Sequence, residues 1–123
     1  ETTLDETTGE PLTPLAHCTA KRVVSDETAS ALRSLLAGVV ENGTGHDAAL
    51  PEITTAGKTG TAQTGQYNAE GEELLNYWFS GFYPAEAPRY TITILQDGIL
   101  KPETSSAALF ARVTEILRVW EGG

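Results

Sequence analysis

The run Ala56-Gly57-Lys58-Thr59-Gly60-Thr61-Ala62-Gln63 holds the residues of this chain best suited to chemistry. It offers one ammonium group, two hydroxyl donors and glycines that a ligand can approach closely. That set suits the binding of a carboxylate beside a reacting carbonyl. Side chains alternate along a strand, so Thr59 and Thr61 share one face and Lys58 projects to the other. Gly60 has no side chain, which lets an extended ligand backbone lie against the strand as if it were another strand. A backbone N–H of this segment, that of Thr61, can then point at a developing oxyanion, a donor typically worth about 10²–10³ in rate. The plain alternative is a solvated strand edge carrying ordinary β-branched residues.

The elements that must position this run follow from periodicity. Ser25 is an N-cap residue, and Asp26 and Glu27 place negative charge in a first helical turn. Ala29, Leu32, Leu36, Val39 and Val40 recur every three or four residues, and Asn42-Gly43 supplies a stop, which predicts a helix over 26–41. Residues 20–24 read as a short strand and 1–16, with the turn Thr8-Gly9-Glu10-Pro11, as a loop or loose hairpin arm. A strand is expected over 53–64, ended by Gly65, with a polar tip over 66–73. The next strand, 76–83, sets Tyr77, Phe79 and Tyr83 against Trp78 and Phe82, so it reads as central with cover on both faces. Trp78 and Phe82 are therefore assigned to core. A third strand, 90–96, is closed by Asp97-Gly98. Thr104 or Ser105 caps a last helix with an apolar stripe of Leu109, Phe110, Val113, Ile116, Leu117 and Trp120. Short connections between the strands favour an antiparallel meander. The fold class is α+β, with helices packed on a sheet of about three antiparallel strands.

Bulk properties remove several classes of function. A chain of 123 residues is one domain's worth, able to bury about two-thirds of the surface it exposes when unfolded. With a net charge of −9 and only eight Lys and Arg, scattered, it does not suit nucleic acid and would be repelled by an anionic membrane surface. Cys18 is the only cysteine, so no internal disulfide and no C-x-x-C site can form, and it reads as a structural thiol. His17 and His46 lack metal-ligand spacing and read as surface residues, while Glu70, Glu72 and Glu73 read as a solvated loop tip. No metal or cofactor is expected. Gly57-Lys58-Thr59 does not end a phosphate-binding loop, because the required first glycine position holds Glu52. No apolar run approaches the ~20 residues of a membrane span. A chain that begins at Glu1 and contains no methionine is expected to be a processed product or an excised piece.

The order of motifs is more specific than any one of them. The helix ending in Val39-Val40-Glu41-Asn42-Gly43-Thr44-Gly45 leads to the Lys58-Thr59-Gly60 motif, which leads to Trp78-Phe79-Ser80-Gly81-Phe82-Tyr83-Pro84. Over nearly all of residues 1–123 the chain resembles the C-terminal portion of the transpeptidase domain of a class B penicillin-binding protein, a serine D,D-transpeptidase of peptidoglycan synthesis. The resemblance implies a partial β-lactamase/transpeptidase-like fold. It implies that Lys58 belongs to the proton and charge network and holds the substrate's carboxylate region. It implies that Thr59 and Thr61 bind the terminal carboxylate of a stem peptide or a β-lactam, beside the smooth surface of Gly60, and that the Thr61 N–H forms half of the oxyanion hole. It also implies a place on the extracytoplasmic face of the bacterial cell membrane, with the anchor outside this chain.

Two elements of that family are missing. None of Ser25, Ser30, Ser34, Ser80, Ser105 and Ser106 has lysine three residues on or asparagine two residues on, so S-x-x-K and S-x-N are absent. Thr55 and Lys58 have the first spacing, but a strand turns them to opposite faces. The chain alone is expected to be inactive, one wall of a cleft whose other walls lie upstream. Two other readings stay open: an autonomous, non-catalytic peptide-binding or interaction module, and a fragment of a β-lactamase or β-lactam sensor. Strands missing from the sheet would leave an open edge, so self-association is expected.

Overall fold

The computed structural model describes residues 21–122. The readings made for 1–16, His17, Cys18 and Ala20 lie outside these residues. Helix α1, Asp26–Asn42, begins where Ser25 adopts an extended backbone and its Oγ accepts from the Thr28 N–H at 3.1 Å. It ends because the Val39 carbonyl accepts from both Gly43 N–H, at 3.0 Å, and Gly45 N–H, at 3.1 Å. Residues 21–24 are not a strand, which corrects that part of the 20–24 expectation. Among the described residues no strand pairs with them, and Arg22 is drawn instead to Asp26 at the start of α1.

A single turn of 3₁₀ helix, His46–Ala48, leads into three antiparallel strands: β1, Ala56–Tyr67, β2, Glu73–Tyr83, and β3, Tyr90–Ile99. Their order is β1-β2-β3, so β2 is central, as its aromatic content suggested. Helix α2, Ser106–Gly122, closes the chain. Ser105 caps it by accepting from the Ala108 N–H at 3.1 Å, while its hydroxyl donates to Asp47 at 2.6 Å. The α+β meander is the expected architecture.

Two glycines read as strand ends are bulges instead. Gly65 (φ 70°) lies inside β1 and Gly98 (φ 61°) inside β3, each at a shift of register. Pairing survives these kinks because nearby side chains satisfy the freed backbone groups. Thr64 Oγ1 donates to the Leu74 carbonyl at 2.5 Å and accepts from Gln66 N–H at 3.0 Å. Asn76 Oδ1 accepts from Gly98 N–H at 2.8 Å. The loop tip consequently shrinks to residues 68–72.

The core lies on one face of the sheet. Val40 from α1, Ala48, Phe79 from β2, and Ala107 and Phe110 from α2 are all buried together, with Ile92 and Ile94 packed against them. Phe79 and Phe110 meet with ring centroids 4.9 Å apart, inclined at 57°. Gly57 and Gly81 are register partners, and together they clear space for the Phe79 ring. A Cβ on Gly57 would stand 2.6 Å from that ring, and one on Gly81 would stand 2.7 Å from it and 3.0 Å from Phe110.

The opposite face is bare among the described residues, which corrects the expectation of cover on both sides. Lys58, Gly60, Trp78, Ser80, Thr93 and Leu95 are all exposed there. Trp78, assigned to core because the strand is apolar on both faces, is 38 % exposed, and Phe82 is half-buried. The stripe assigned to α2 is also rotated. Ala107, Phe110, Ala111 and Thr114 face inward, while Trp120 is 80 % exposed. Small residues on the inner face let the helix approach a sheet whose space is already filled by Phe79 and Phe110.

This glycine floor is testable. In urea unfolding, Gly81→Ala is expected to cost about 1–3 kcal/mol, the usual scale of overpacking a filled core. Gly38→Ala, in α1 with nothing within 4 Å of the new methyl, should instead add about 0.5–1 kcal/mol. Equal midpoints for Gly81→Ala and the native protein would refute the close-packed floor.

Candidate functional site

The Lys58-Thr59-Gly60-Thr61 run sits on β1, which has no outer neighbour among the described residues. Lys58 stands opposite Ser80, Thr59 opposite Phe79, and Thr61 opposite Tyr77. The alternation predicted from sequence therefore holds for the backbone. Thr59 leans toward the helix-covered face and is half-buried, whereas Lys58, Gly60 and Thr61 are exposed.

The lysine head departs from the simple alternation. Its Nζ bends round the open edge of β1, donates to the Thr59 carbonyl at 2.8 Å and lies 3.4 Å from Thr59 Oγ1. A four-carbon stem allows this only where no further strand blocks the edge. Ammonium and hydroxyl thus converge although their Cβ atoms point apart. Thr55, by contrast, is buried and donates to the Ala48 carbonyl at 2.7 Å, so its hydroxyl is committed to holding the turn before β1.

Thr44 is the site residue that sequence reasoning missed. Its Oγ1 is 3.0 Å from Thr59 Oγ1, across a gap of fifteen positions. In the sequence Asn42-Gly43 reads as a helix stop and 39–45 as one segment of the family resemblance, with no role assigned to Thr44. The available signal was a hydroxyl set between two glycines immediately after the helix, a place where a side chain is held by its backbone and free at its tip.

Thr44, Thr59, Gly60 and Thr61 line a cleft of about 130 Å³, together with residues from β2 and the start of α2. Ser106, at that helix start, donates to the Tyr77 carbonyl at 2.9 Å and accepts from Gln96 at 2.9 Å, which pins the cleft's floor. A larger hollow of about 420 Å³ lies between the end of α1 and residues 49–55. Among the described residues it is walled by Glu41, Glu52 and Glu86 and by no lysine or arginine, so its charge disfavours an anionic ligand. Among the described residues no group of three His, Cys, Asp or Glu is placed to hold a metal ion, and no helix is long and apolar enough to cross a membrane.

The glycines of the run differ in what they serve. A methyl on Gly57 would collide with the core, but one on Gly60 would meet only Trp78 Cβ, at an ordinary 3.6 Å. Packing within the described residues requires glycine at 57 and not at 60. The open approach at Gly60 faces outward, over the edge where Lys58 and Thr59 converge.

Comparison with known proteins identifies the family of the fold. The family described as the penicillin binding protein transpeptidase domain matches residues 14–115. The penicillin-binding protein PbpB of Mycolicibacterium smegmatis is 39% identical over 112 residues, which cover 78% of this chain and 17% of that protein. Among solved structures, the D,D-transpeptidase domain of a peptidoglycan glycosyltransferase from Eggerthella lenta superposes with a TM-score of 0.67 at 33% identity. That match covers 93% of this chain and 25% of the other. Penicillin-binding protein 3 of Mycobacterium tuberculosis, solved in complex with aztreonam, gives 0.68 at 36% identity, over 82% of this chain and 26% of that one. This chain thus spans about a sixth of the curated relative and a quarter of each solved chain. With its antiparallel meander and these matches, the chain belongs to the transpeptidase-domain family of the penicillin-binding proteins, on its class B side.

Proposed function

We propose that this chain is the C-terminal portion of a penicillin-binding transpeptidase domain and supplies the carboxylate-binding and oxyanion wall of its acyl-transfer cleft. The observation that carries this reading is the open β1 edge. The Lys58 ammonium and the Thr59 hydroxyl converge there beside Gly60, whose missing side chain serves nothing in the packing. An extended peptide with a terminal carboxylate fits such an edge by strand addition, its charge meeting Lys58, Thr59 and Thr61.

In the complete protein, a serine from upstream sequence attacks the penultimate D-Ala carbonyl of a stem peptide. The carbonyl oxygen takes the negative charge, and the Thr61 N–H stabilises it. Collapse of the intermediate expels the terminal D-Ala, its amine taking the proton given up by serine, and leaves an acyl-enzyme. An acceptor amine then displaces the serine and completes the cross-link. A β-lactam occupies the same edge and traps the serine, in keeping with the aztreonam complex of the Mycobacterium tuberculosis relative. Such chemistry places the working protein on the extracytoplasmic face of the bacterial membrane, held by an anchor outside this chain.

Two measurements test the assignment. In the complete protein, Lys58→Ala should lower penicillin acylation by more than about 10²-fold, the scale of losing one preorganised charge-stabilising group. Near-native acylation by that variant would remove Lys58 from the site. The isolated chain, lacking S-x-x-K, should show no covalent penicillin adduct by intact-mass spectrometry, and a stoichiometric mass increase would contradict the missing-nucleophile reading.

The open edges and bare face also imply that the isolated chain self-associates, since unpaired strands template further pairing. Light scattering at micromolar concentration should give a mass above the 13.1 kDa monomer. A monodisperse monomer would argue against it.

A further inference from the structure

We infer that Thr44 is a positioning residue for this site: its hydroxyl donates to Thr59 Oγ1 and thereby turns the single Thr59 proton outward, toward an anionic ligand. The inference rests on the proposed function above, and it concerns a residue outside the Lys58–Thr61 run.

The argument is one of hydrogen-bond valence. A threonine hydroxyl carries one proton and two lone pairs, and a lysine ammonium can only donate. Among the described residues Thr59 Oγ1 has two polar neighbours, Lys58 Nζ at 3.4 Å and Thr44 Oγ1 at 3.0 Å. When both donate, the two lone pairs are occupied and the remaining proton must point away from them, into the cleft. A carboxylate accepts from that proton. In the reverse orientation Thr59 gives its proton to Thr44 and presents a lone pair to the ligand, which repels an anion. An arriving carboxylate therefore selects the arrangement in which Thr44 donates.

Thr44 is held well enough to act this way. The residues on either side of it both donate to the Val39 carbonyl, and His46 N–H donates back to the Gly43 carbonyl at 3.3 Å. Gly45 is buried against the core, where an added Cβ would lie 3.2 Å from Val39 and 3.3 Å from the Phe79 ring. Phe79 is itself the register partner of Thr59. Both threonines are thus held next to residues that abut one buried ring. Threonine is also stiff about χ1, so a fixed backbone leaves its hydroxyl few directions.

The test uses the complete protein and the second-order rate of penicillin acylation. Thr44→Val, which keeps the shape and removes the hydroxyl, should slow acylation roughly tenfold, the scale of one aligned hydrogen bond to a charged group. Thr44→Ser should restore the rate to within about twofold. In a Thr59→Val background, Thr44→Val should cost almost nothing more, because its effect passes through Thr59. A merely structural role would instead lower the melting temperature and add its loss to that of Thr59→Val. Should Thr44→Val itself be poorly folded, Thr44→Ala against Thr44→Ser makes the same comparison. Native-like acylation by the hydroxyl-less variants, or losses that multiply in the double variant, overturns the inference while the transpeptidase reading stands. A complete protein of native sequence that is not acylated by penicillin at all overturns both.

Discussion

A single phenylalanine ring organises this molecule. Phe79 is fully buried, lies over the paired glycines 57 and 81, and meets Phe110 from the last helix. A pair of glycines is costly in a strand, since each loses more backbone freedom on folding than any other residue and contributes no side chain to pack. The return is a slot in the sheet that one aromatic ring fills. Any slip of β1 against β2 by one residue would bring a side chain into that slot and turn Lys58 to the helix-covered face, so the ring and the slot fix the register together. The register then fixes the site, because Thr59 stands directly opposite Phe79 and Lys58 opposite Ser80.

The same ring explains why the helix stop matters for chemistry. Gly45 reaches Phe79 only because the chain leaves α1 through two N–H groups that share one carbonyl. That exit sets Thr44 beside Thr59. The buried face of the sheet thus fixes two hydroxyls, while the exposed edge leaves the lysine free to bend toward them. Rigidity on one side and access on the other suit the binding wall proposed for β1, and the boundary between them runs along that strand.

Much of this was legible in the sequence, for reasons that are local. Ser25 with Asp26 and Glu27 announces α1 because capping chemistry depends on neighbours three residues apart. The aromatic content of β2 announces a central strand. The Lys58-Thr59-Gly60-Thr61 spacing announces a strand with donors on one face. What failed to show depends on partners far along the chain. Gly65 and Gly98 resemble strand ends, and only Thr64 and Asn76 satisfying the bulged backbone keeps pairing alive. The α2 stripe was assigned by hydrophobicity, yet Ala107, Ala111 and Thr114 face inward because Phe79 and Phe110 already occupy the space that larger residues would need. Trp78 was assigned to core because its strand is apolar on both faces, yet it lies on the face opposite Phe79 and stays 38 % exposed among the described residues. The Thr44–Thr59 contact spans fifteen positions and follows from no periodicity.

The three glycines at 57, 60 and 65 separate packing from recognition more sharply than any lysine or threonine does. Gly65 has positive φ, a conformation that L side chains resist, so backbone geometry accounts for it. Gly57 is crowded by a ring and by backbone, so the core accounts for it. Gly60 has neither excuse: no positive φ, and room for a methyl at 3.6 Å from its nearest neighbour. A glycine carries an entropic cost that folding here does not require. Its placement between Thr59 and Thr61, beside the edge where the Lys58 ammonium bends toward the Thr59 hydroxyl, is what the proposed strand addition of an extended ligand would use.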